Sequence, residues 1–277
     1  MHEVILLSLE EGCLRAPVLA CRDALAAEGA RVGTATAGSD ADLDEVIAAL
    51  DGPARADGLS WPAVDGPRLV VAVAAVGQLR AVVRRMVRRY APPPSRRPAD
   101  LAPDRTIPDL PPLGILPLYG ADVFRVDPAE VVKAVLHGSP RRLDLLRTDA
   151  GSVTLDGSLI GGESPYAARV EVDDAILATP DEPIAACVVG NGTRYATVDG
   201  LPLVPGADPT DGVLDVAVAV PVRVRREVRV EVRRARGRAV SVTSAGEVPF
   251  LDDGVAGRLT RKRSWWIERG AWSVFRS

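Results

Sequence analysis

Residues that build metal clusters and disulfide frameworks are scarce in this chain of 277 residues. It has three cysteines, Cys13, Cys21 and Cys187, and two histidines, His2 and His137. Because the cysteines lack Cys-x-x-Cys spacing, the sequence argues against a zinc site and against a disulfide framework. We interpret all three cysteines as structural and expect a reducing, cytoplasmic compartment.

Long apolar runs are missing as well. The opening residues MHEVILLSLEEG hold a short apolar run that ends at Glu10 and Glu11, which is typical of a buried first strand rather than a signal peptide. No run approaches the ~20 apolar residues that span a bilayer. We therefore expect no transmembrane segment, while peripheral contact with a membrane stays open.

Lysine is nearly absent, since Lys133 and Lys262 are the only two, and arginine carries the positive charge. Seven arginines and no acid lie in residues 80–97, and a second cluster lies in residues 223–238. The arginines of the first cluster lie beside an apolar helical stripe, so their face is either solvated or a patch for anionic lipid headgroups or phosphates. The net charge of −3 and the single aromatic residue beside the patch argue against nucleic acid.

The first half of the chain alternates short β-branched runs with helical patterns, which predicts a doubly wound parallel sheet covered by helices. Ligands of such sheets lie at the carboxyl ends of the strands. Residues 91–112 form a proline-rich, exposed connection. The predicted strands are residues 3–7, 31–35, 69–73 and 114–118, and the predicted helices are residues 16–28, 41–50, 79–90 and 128–136.

Beyond His137 the pattern is all-β, because short apolar or alternating runs are separated by Gly, Pro and Asp turns. Residues 222–236 fit both a helix and a strand, so their type stays open. Residues 264–276 hold three tryptophans and are typical of a strand that contributes to a core. We expect an α/β lobe at residues 1–137 and a β-sandwich lobe at residues 138–277, whose last strand can return to the first lobe.

The turn between the strand at 69–73 and the helix at 79–90 looks like a phosphate-binding turn without its reactive groups. Ala74, Ala75, Val76, Gly77 and Gln78 stand where nucleotide-binding folds usually carry glycines and an acid. The architecture of the turn is kept and its chemistry is not. The sequence therefore favours a relative of a kinase over a working kinase.

Further motifs resemble the diacylglycerol kinase and bacterial lipid kinase superfamily, which includes sphingosine kinases and is distantly related to NAD kinases. Residues 188–219, VVGNGTRYATVDGLPLVPGADPTDGVLDVAVA, are similar to its Gly-Asn-Gly strand, its Pro-Gly-Ala turn and its Asp-Gly-Leu-Leu-Asp loop. Residues 116–125, LPLYGADVFR, resemble its Pro-Leu-Gly-Thr-Gly-Asn-Asp-Phe-Ala-Arg motif. The resemblance implies an α/β lobe and an antiparallel β-sandwich lobe, with ATP and a lipid meeting in the cleft between them.

The resemblance also implies site residues and cofactors, namely ATP and magnesium. For the acids of the DPTDGVLD loop, a magnesium-binding turn and a plain Asp-Gly turn without metal explain the sequence equally well. The candidates are Gly77, Gly120 and Asp122 for ATP, Asp211 and Asp215 for the metal, and Asp122 and Asp253 for catalysis.

The same motifs show what is missing. The acid of the family's Gly-Gly-Asp-Gly-Thr falls on Val76, and the glutamate of its Asp-Gly-Glu, which resembles a general base, falls on Val255. Its Asn-Pro-x-x-Gly falls on residues 8–12, where two glutamates disfavour phosphate. A helical stretch of many relatives is missing from residues 162–169.

We therefore predict a degenerate lipid-kinase homologue that serves as a binding or regulatory module, with a lipid headgroup or a phosphate-bearing small molecule as its partner. A homodimer is compatible with the resemblance. One alternative is an active kinase that uses rearranged acids such as Asp122, Asp252 and Asp253. Another is an enzyme of different chemistry that reuses the cleft.

Overall fold

The computed structural model describes residues 2–9, 16–119, 124, 126–225 and 227–277. The chain divides into two compact units, Met1–Leu143 together with Gly270–Ser277, and Asp144–Arg269. In the part of the chain that is described, no helix combines the length and apolarity needed to cross a membrane.

The first unit is a parallel sheet with helices between its strands. Its strands lie in the order β2 (Arg31–Ala37), β1 (Glu3–Leu9), β3 (Arg68–Val73) and β4 (Leu113–Pro117), with every pair parallel, which confirms the predicted α/β class. The order reverses at β1, so the carboxyl ends of β1 and β3 form the switch point where such sheets bind ligands. The elements are β1 Glu3–Leu9, α1 Ala16–Ala27, β2 Arg31–Ala37, α2 Asp40–Ala48, β3 Arg68–Val73, α3 Val76–Tyr90, β4 Leu113–Pro117 and α4 Val131–His137.

Burial explains why these segments form a sheet covered by helices. Residues 69–73 of β3 are at most 2% exposed, as expected for a central parallel strand that is covered on both faces. Val18, Cys21 and Leu25 recur at helical spacing on α1 and pack into the same apolar cluster as the inner strands. Cys21 is thus a core residue, as predicted.

The second unit consists of strands. Part of β5 and part of β17 belong to it, while residues 139–143 and 270–276 of these two strands belong to the first unit. The strands are β5 Ser139–Thr148, β6 Val153–Thr154, β7 Gly157–Val172, β8 Ala175–Ala178, β9 Pro183–Gly190, β10 Thr197–Val198, β11 Leu201–Pro202, β12 Leu214–Val224, β13 Glu227–Gly237, β14 Ala239–Ser244, β15 Val248–Asp252, β16 Val255–Leu259 and β17 Lys262–Arg276.

Strand β7 takes part in both layers of the predicted β-sandwich. Residues 157–161 of β7 pair with β9, and residues 158–160 also pair with β15. After an irregularity between Gly161 and Tyr166, residues 166–167 still pair with β9, and residues 168–172 pair with β14 and partly with β8. Gly161 and Gly162 have φ of 91° and 114°, which glycine adopts without strain. One cluster of buried side chains, including Cys187, Val218, Val242 and Trp265, contains residues from both layers. The antiparallel sandwich is confirmed.

The structure resolves one point that the sequence left open and bears on two further predictions. Residues 222–224 belong to the end of β12 and residues 227–236 belong to β13, so these segments are strand rather than helix. Strand β7 runs through residues 162–169, where the resemblance expects a helical stretch in many relatives. The helix predicted from residue 79 begins at Val76, because Val76 extends the buried stripe of α3 by one turn.

Candidate functional site

The turn after β3 lies at the carboxyl edge of the first sheet and is filled by its own side chains. Val76, the first residue of α3, is 1% exposed and packs in the core. Ala75 is the extended N-cap residue and supplies no side-chain cap. Instead, Gln78 Oε1 accepts a hydrogen bond of 2.7 Å from the backbone N–H of Ala74. An amide at the edge of the turn is therefore satisfied from within the chain.

The other predicted ATP contacts are placed only in part. Gly77 is the second residue of α3 and is half-buried. Gly120 and Asp122 lie outside the described residues, as do Glu10 and Glu11. Ser8, at the end of β1, is 1% exposed, and its Oγ makes no hydrogen bond with any described residue.

These observations test whether magnesium-bound ATP fits the β3–α3 turn. Phosphoryl-transfer sites hold the phosphates with bare backbone amides and hold magnesium with carboxylates. Here the apolar side chain of Val76 points into the core. The side chain of Gln78 already accepts the hydrogen bond of the Ala74 backbone N–H. The described residues of this turn do not fit the complex.

The arginine face of α3 is largely engaged by acids of the first unit. Arg84 Nη2 lies 3.0 Å from Asp40 Oδ1, and Arg85, 8% exposed, donates from Nε to Asp44 Oδ1 over 2.8 Å. The hydrogen bond from Arg85 holds the pKa of Asp44 below its ordinary value. Arg89 likewise pairs with Asp51. Three of the five arginines thus serve internal contacts between α3 and the α2 region.

In the second unit, the tip of the β15–β16 hairpin carries a buried carboxylate. Asp253 and Gly254 form its two-residue turn with φ of 51° and 82°, the geometry that Asp-Gly favours. Asp253 is 1% exposed and accepts hydrogen bonds from the backbone N–H groups of Leu155, Asp156 and Gly157 at 2.8, 2.9 and 3.1 Å. The carboxylate therefore fixes the start of β7 to the hairpin.

The neighbouring Asp252 is also buried and joins a polar network. Its Oδ1 accepts from Thr154 Oγ1 at 2.6 Å and from Ser158 Oγ at 2.7 Å. Trp265 Nε1 donates to the same Thr154 oxygen over 3.2 Å. Two hydroxyl groups therefore stabilise this buried carboxylate.

The buried carboxyl group of Asp253 lies next to the buried carboxyl group of Asp252. Burial, followed by the charge of Asp252, raises the pKa of Asp253 to about 7, while the three backbone amides oppose the shift. Such a value suits proton transfer, but both oxygens of Asp253 already accept backbone hydrogen bonds. Val255, at the position of the family's general base, is 47% exposed and has no proton to exchange.

The predicted metal-binding acids, Asp211 and Asp215, share an arginine. Arg236 pairs with Asp211, and its Nε lies 3.2 Å from Asp215 Oδ1. Asp211 Oδ1 also accepts from the N–H of Val213 at 3.0 Å. Asp215 Oδ2 is buried without a hydrogen bond in the described part of the chain, and burial raises the pKa of this group.

The fit of magnesium to this turn is therefore incomplete. The guanidinium of Arg236 already compensates both carboxylates, and no cluster of three or more His, Cys, Asp or Glu side chains suited to a metal occurs among the described residues. The cavity beside the turn has a volume of about 480 Å³ and is lined by residues 203–206, 215–216 and 234–236. The magnesium site stays a prediction.

Several residues of these networks have no counterpart in the predicted site. No recognised motif includes Thr154, Ser158 or Arg236, because the roles of these residues depend on partners that are distant in sequence. Asn191 does lie in the Gly-Asn-Gly motif, and its amide donates to the carbonyls of Asp144 and Leu155 at 3.0 and 2.9 Å. The motif thus marks a structural contact that fixes the strand before β7.

Comparison with solved structures identifies the fold. A crystal structure of a diacylglycerol kinase from Bacillus anthracis str. Sterne matches with a TM-score of 0.64 and 13% sequence identity, over 99% of this chain and 97% of that chain. A structure of a candidate diacylglycerol kinase from the same organism matches with a TM-score of 0.66 and 14% identity over the same shares. No family model and no curated protein sequence matches. The chain has the fold of diacylglycerol kinases, as its motifs implied.

Proposed function

We propose that this chain is a diacylglycerol-kinase-fold protein that has lost phosphoryl transfer and serves as a binding or regulatory module. The observation that carries the proposal is the burial of Val76. At the position that the motif resemblance gives to an acid, a valine 1% exposed continues the apolar stripe of α3. Phosphoryl transfer depends on phosphate positioning and on metal charge, so an apolar turn removes a central part of the catalysis.

Two observations in the second unit support the same conclusion. Val255 stands where the resemblance expects a base, and the carboxylate of Asp253 is held by three backbone amides. The carboxylate of Asp253 can accept a proton from a substrate only if these backbone hydrogen bonds break. Loss of even one group of a catalytic unit lowers the rate by orders of magnitude, and further losses from the same unit are not additive.

The ligand that we propose for the module is a lipid or a phosphate-bearing small molecule. The α3 arginines offer little support for a headgroup patch, because Arg84, Arg85 and Arg89 pair with acids. The magnesium site at Asp211 and Asp215 would in this view be structural, with carboxylate and carbonyl oxygens as ligands. No catalytic step is assigned to it.

The first test is calorimetric titration with magnesium and ATP, followed by transfer of labelled phosphate from ATP to diacylglycerol in micelles. The Bacillus anthracis diacylglycerol kinase serves as the positive control. We expect no binding at millimolar ATP and no labelled lipid. Turnover above the background would refute the proposal and favour the active kinase, whose acids would then be sought by alanine substitution at Asp122 and Asp252.

A further inference from the structure

The β12–β13 hairpin lies at the end of one sheet of the second unit, and β13 is its long edge strand. β13 pairs with β12 from Glu227 to Gly237 and with no second strand among the described residues. β12 itself pairs with β9 only through residues 215–219, so the outer part of the hairpin extends beyond β9. Natural proteins usually protect an edge of this length, because its free N–H and C=O groups invite another strand.

The sequence of this edge is complementary to itself. Residues 227–233 read EVRVEVR. If two copies align antiparallel about Val230, Arg229 lies opposite Glu231 of the second copy, and Glu227 lies opposite Arg233 of the second copy. Each charged pair within residues 227–233 of this register joins opposite signs, an arrangement that stabilises paired strands.

The backbone of the hairpin presents the matching hydrogen-bonding groups. Pro221 lies opposite Val230 in the β12–β13 ladder. Because proline has no N–H, this pair fits the positions of an antiparallel ladder that exchange no hydrogen bonds. Alternation then turns the N–H and C=O of Val228, Val230 and Val232 toward the open edge. A ladder centred on Val230 uses these three residues.

The side chains give the same register an apolar component. Val228 and Val230 are 70% and 46% exposed, which is unusual for valine on a strand. In the antiparallel register Val230 lies opposite its own copy, and Val228 lies opposite Val232 of the second copy. The exposed pair of Arg229 with Glu227, at 3.3 Å, holds this charge weakly within one chain. Arg233 pairs with Glu231 at 2.9 Å and also with Glu182 at 2.7 Å, so the outer charged pairs of the register contribute less than the central pairs of Arg229 with Glu231.

We propose that two copies of this chain associate through β13, antiparallel and centred on Val230. The contact consists of a backbone ladder, the two central pairs of Arg229 with Glu231 and a few valines, so it is smaller than a standard interface and its dimer is reversible. The two-fold symmetry follows from the self-complementary strand.

The test is sedimentation velocity of the full chain across the micromolar range. We expect the wild-type chain to dimerise as its concentration rises. Arg229→Glu and Glu231→Arg each place like charges opposite one another twice, and each should weaken dimerisation about tenfold. An equimolar mixture of the two variants should dimerise like the wild type, because every mixed pair then joins opposite signs. A folding defect in either variant would not produce this rescue.

The matched control is Arg169→Glu, since Arg169 forms an exposed pair with Glu171 at 3.1 Å and the same spacing of two residues on β7. It should leave dimerisation unchanged. A wild-type chain that remains monomeric at high micromolar concentration would overturn the proposal. So would a dimer that tolerates both single variants, or a mixture that fails to restore association.

Discussion

Two turns at which the motifs place catalytic groups have diverged in opposite ways. The β3–α3 turn has no carboxylate, and its valine is absorbed into the core of the first unit. The β15–β16 turn keeps Asp253, and Asp252 before it, yet both carboxylates are buried in contacts with the chain itself. The comparison shows that a residue which matches a catalytic motif can be held in place by structural contacts with its own chain.

The largest effect is expected from restoring the acid to the first turn. Val76→Asp should lower the free energy of unfolding by roughly 4 kcal/mol, because the carboxylate would enter an apolar core. Val76→Ala, which only removes methyl groups, should cost about 2 kcal/mol. Urea denaturation measures both. If Val76→Asp is as stable as the wild type, the side chain at 76 reaches water and the turn has room for an acid after all.

Removing the acid from the second turn should also destabilise the fold. Asp253→Ala leaves three backbone N–H groups without their acceptor, which should cost roughly 3 kcal/mol. The chain contains its own control, because Asp199 occupies an exposed Asp-Gly turn with φ of 49°. Asp199→Ala carries the same backbone strain without the buried contacts and should cost at most about 1 kcal/mol. Equal losses from the two variants would show that the amide contacts contribute nothing.

Asp253 should also make stability depend on pH. Its pKa is raised to about 7 in the folded protein, whereas an unfolded aspartate titrates near about 3.9. Between these values the folded state binds more protons, so the contribution of Asp253 to stability is fully present at and below about pH 4 and is lost as pH rises to 7, by at most about 1.4 kcal/mol per pH unit.

Asp253→Asn should remove this component, while Asp199→Asn should leave it intact. The measurement is the free energy of unfolding at pH 5 and at pH 7.5 for each variant. A slope that survives in Asp253→Asn would assign the titration to another group.

The smallest effect concerns the hydrogen bond that closes the first turn. Gln78→Ala leaves the Ala74 N–H without its acceptor and should cost about 1 kcal/mol. Gln78→Glu keeps an acceptor near the helix N-terminus and should be neutral or slightly stabilising. Thermal unfolding distinguishes the two. A Gln78→Ala variant as stable as the wild type would mean that water replaces the side chain at this amide.

The fold was largely predictable because helices and strands are determined mainly by patterns within short stretches of sequence. Alternation of β-branched runs and apolar helical stripes gave the parallel sheet, and helix α3 was misplaced only by the three residues from Val76 to Gln78. Residues 222–236 stayed ambiguous because valines at every second position also recur at every fourth. The pairing between β12 and β13 stabilises the strand conformation, and this pairing can be seen only in the three-dimensional structure.

The candidate site was less predictable because its contacts are distant in sequence. Both interpretations of the α3 arginines, solvent or anionic ligand, omitted Asp40, Asp44 and Asp51, which lie some forty residues earlier. Asp253 was singled out by its motif, but the amides that hold it lie nearly a hundred residues before it. Composition and periodicity contain no information about such pairs.

Burial of the β15–β16 turn has a consequence for the chemical ageing of the protein. Asp-Gly sequences convert to isoaspartate when the glycine nitrogen attacks the aspartate side-chain carbon, a step that needs a mobile carboxyl group. At Asp253 three amides hold the carboxylate, and the Gly254 N–H lies 3.3 Å from the hydroxyl oxygen of Tyr195. The exposed turn at Asp199 and Gly200 has the same backbone geometry without these contacts to its carboxylate. In stored protein, isoaspartate should therefore accumulate at residue 199 and spare residue 253.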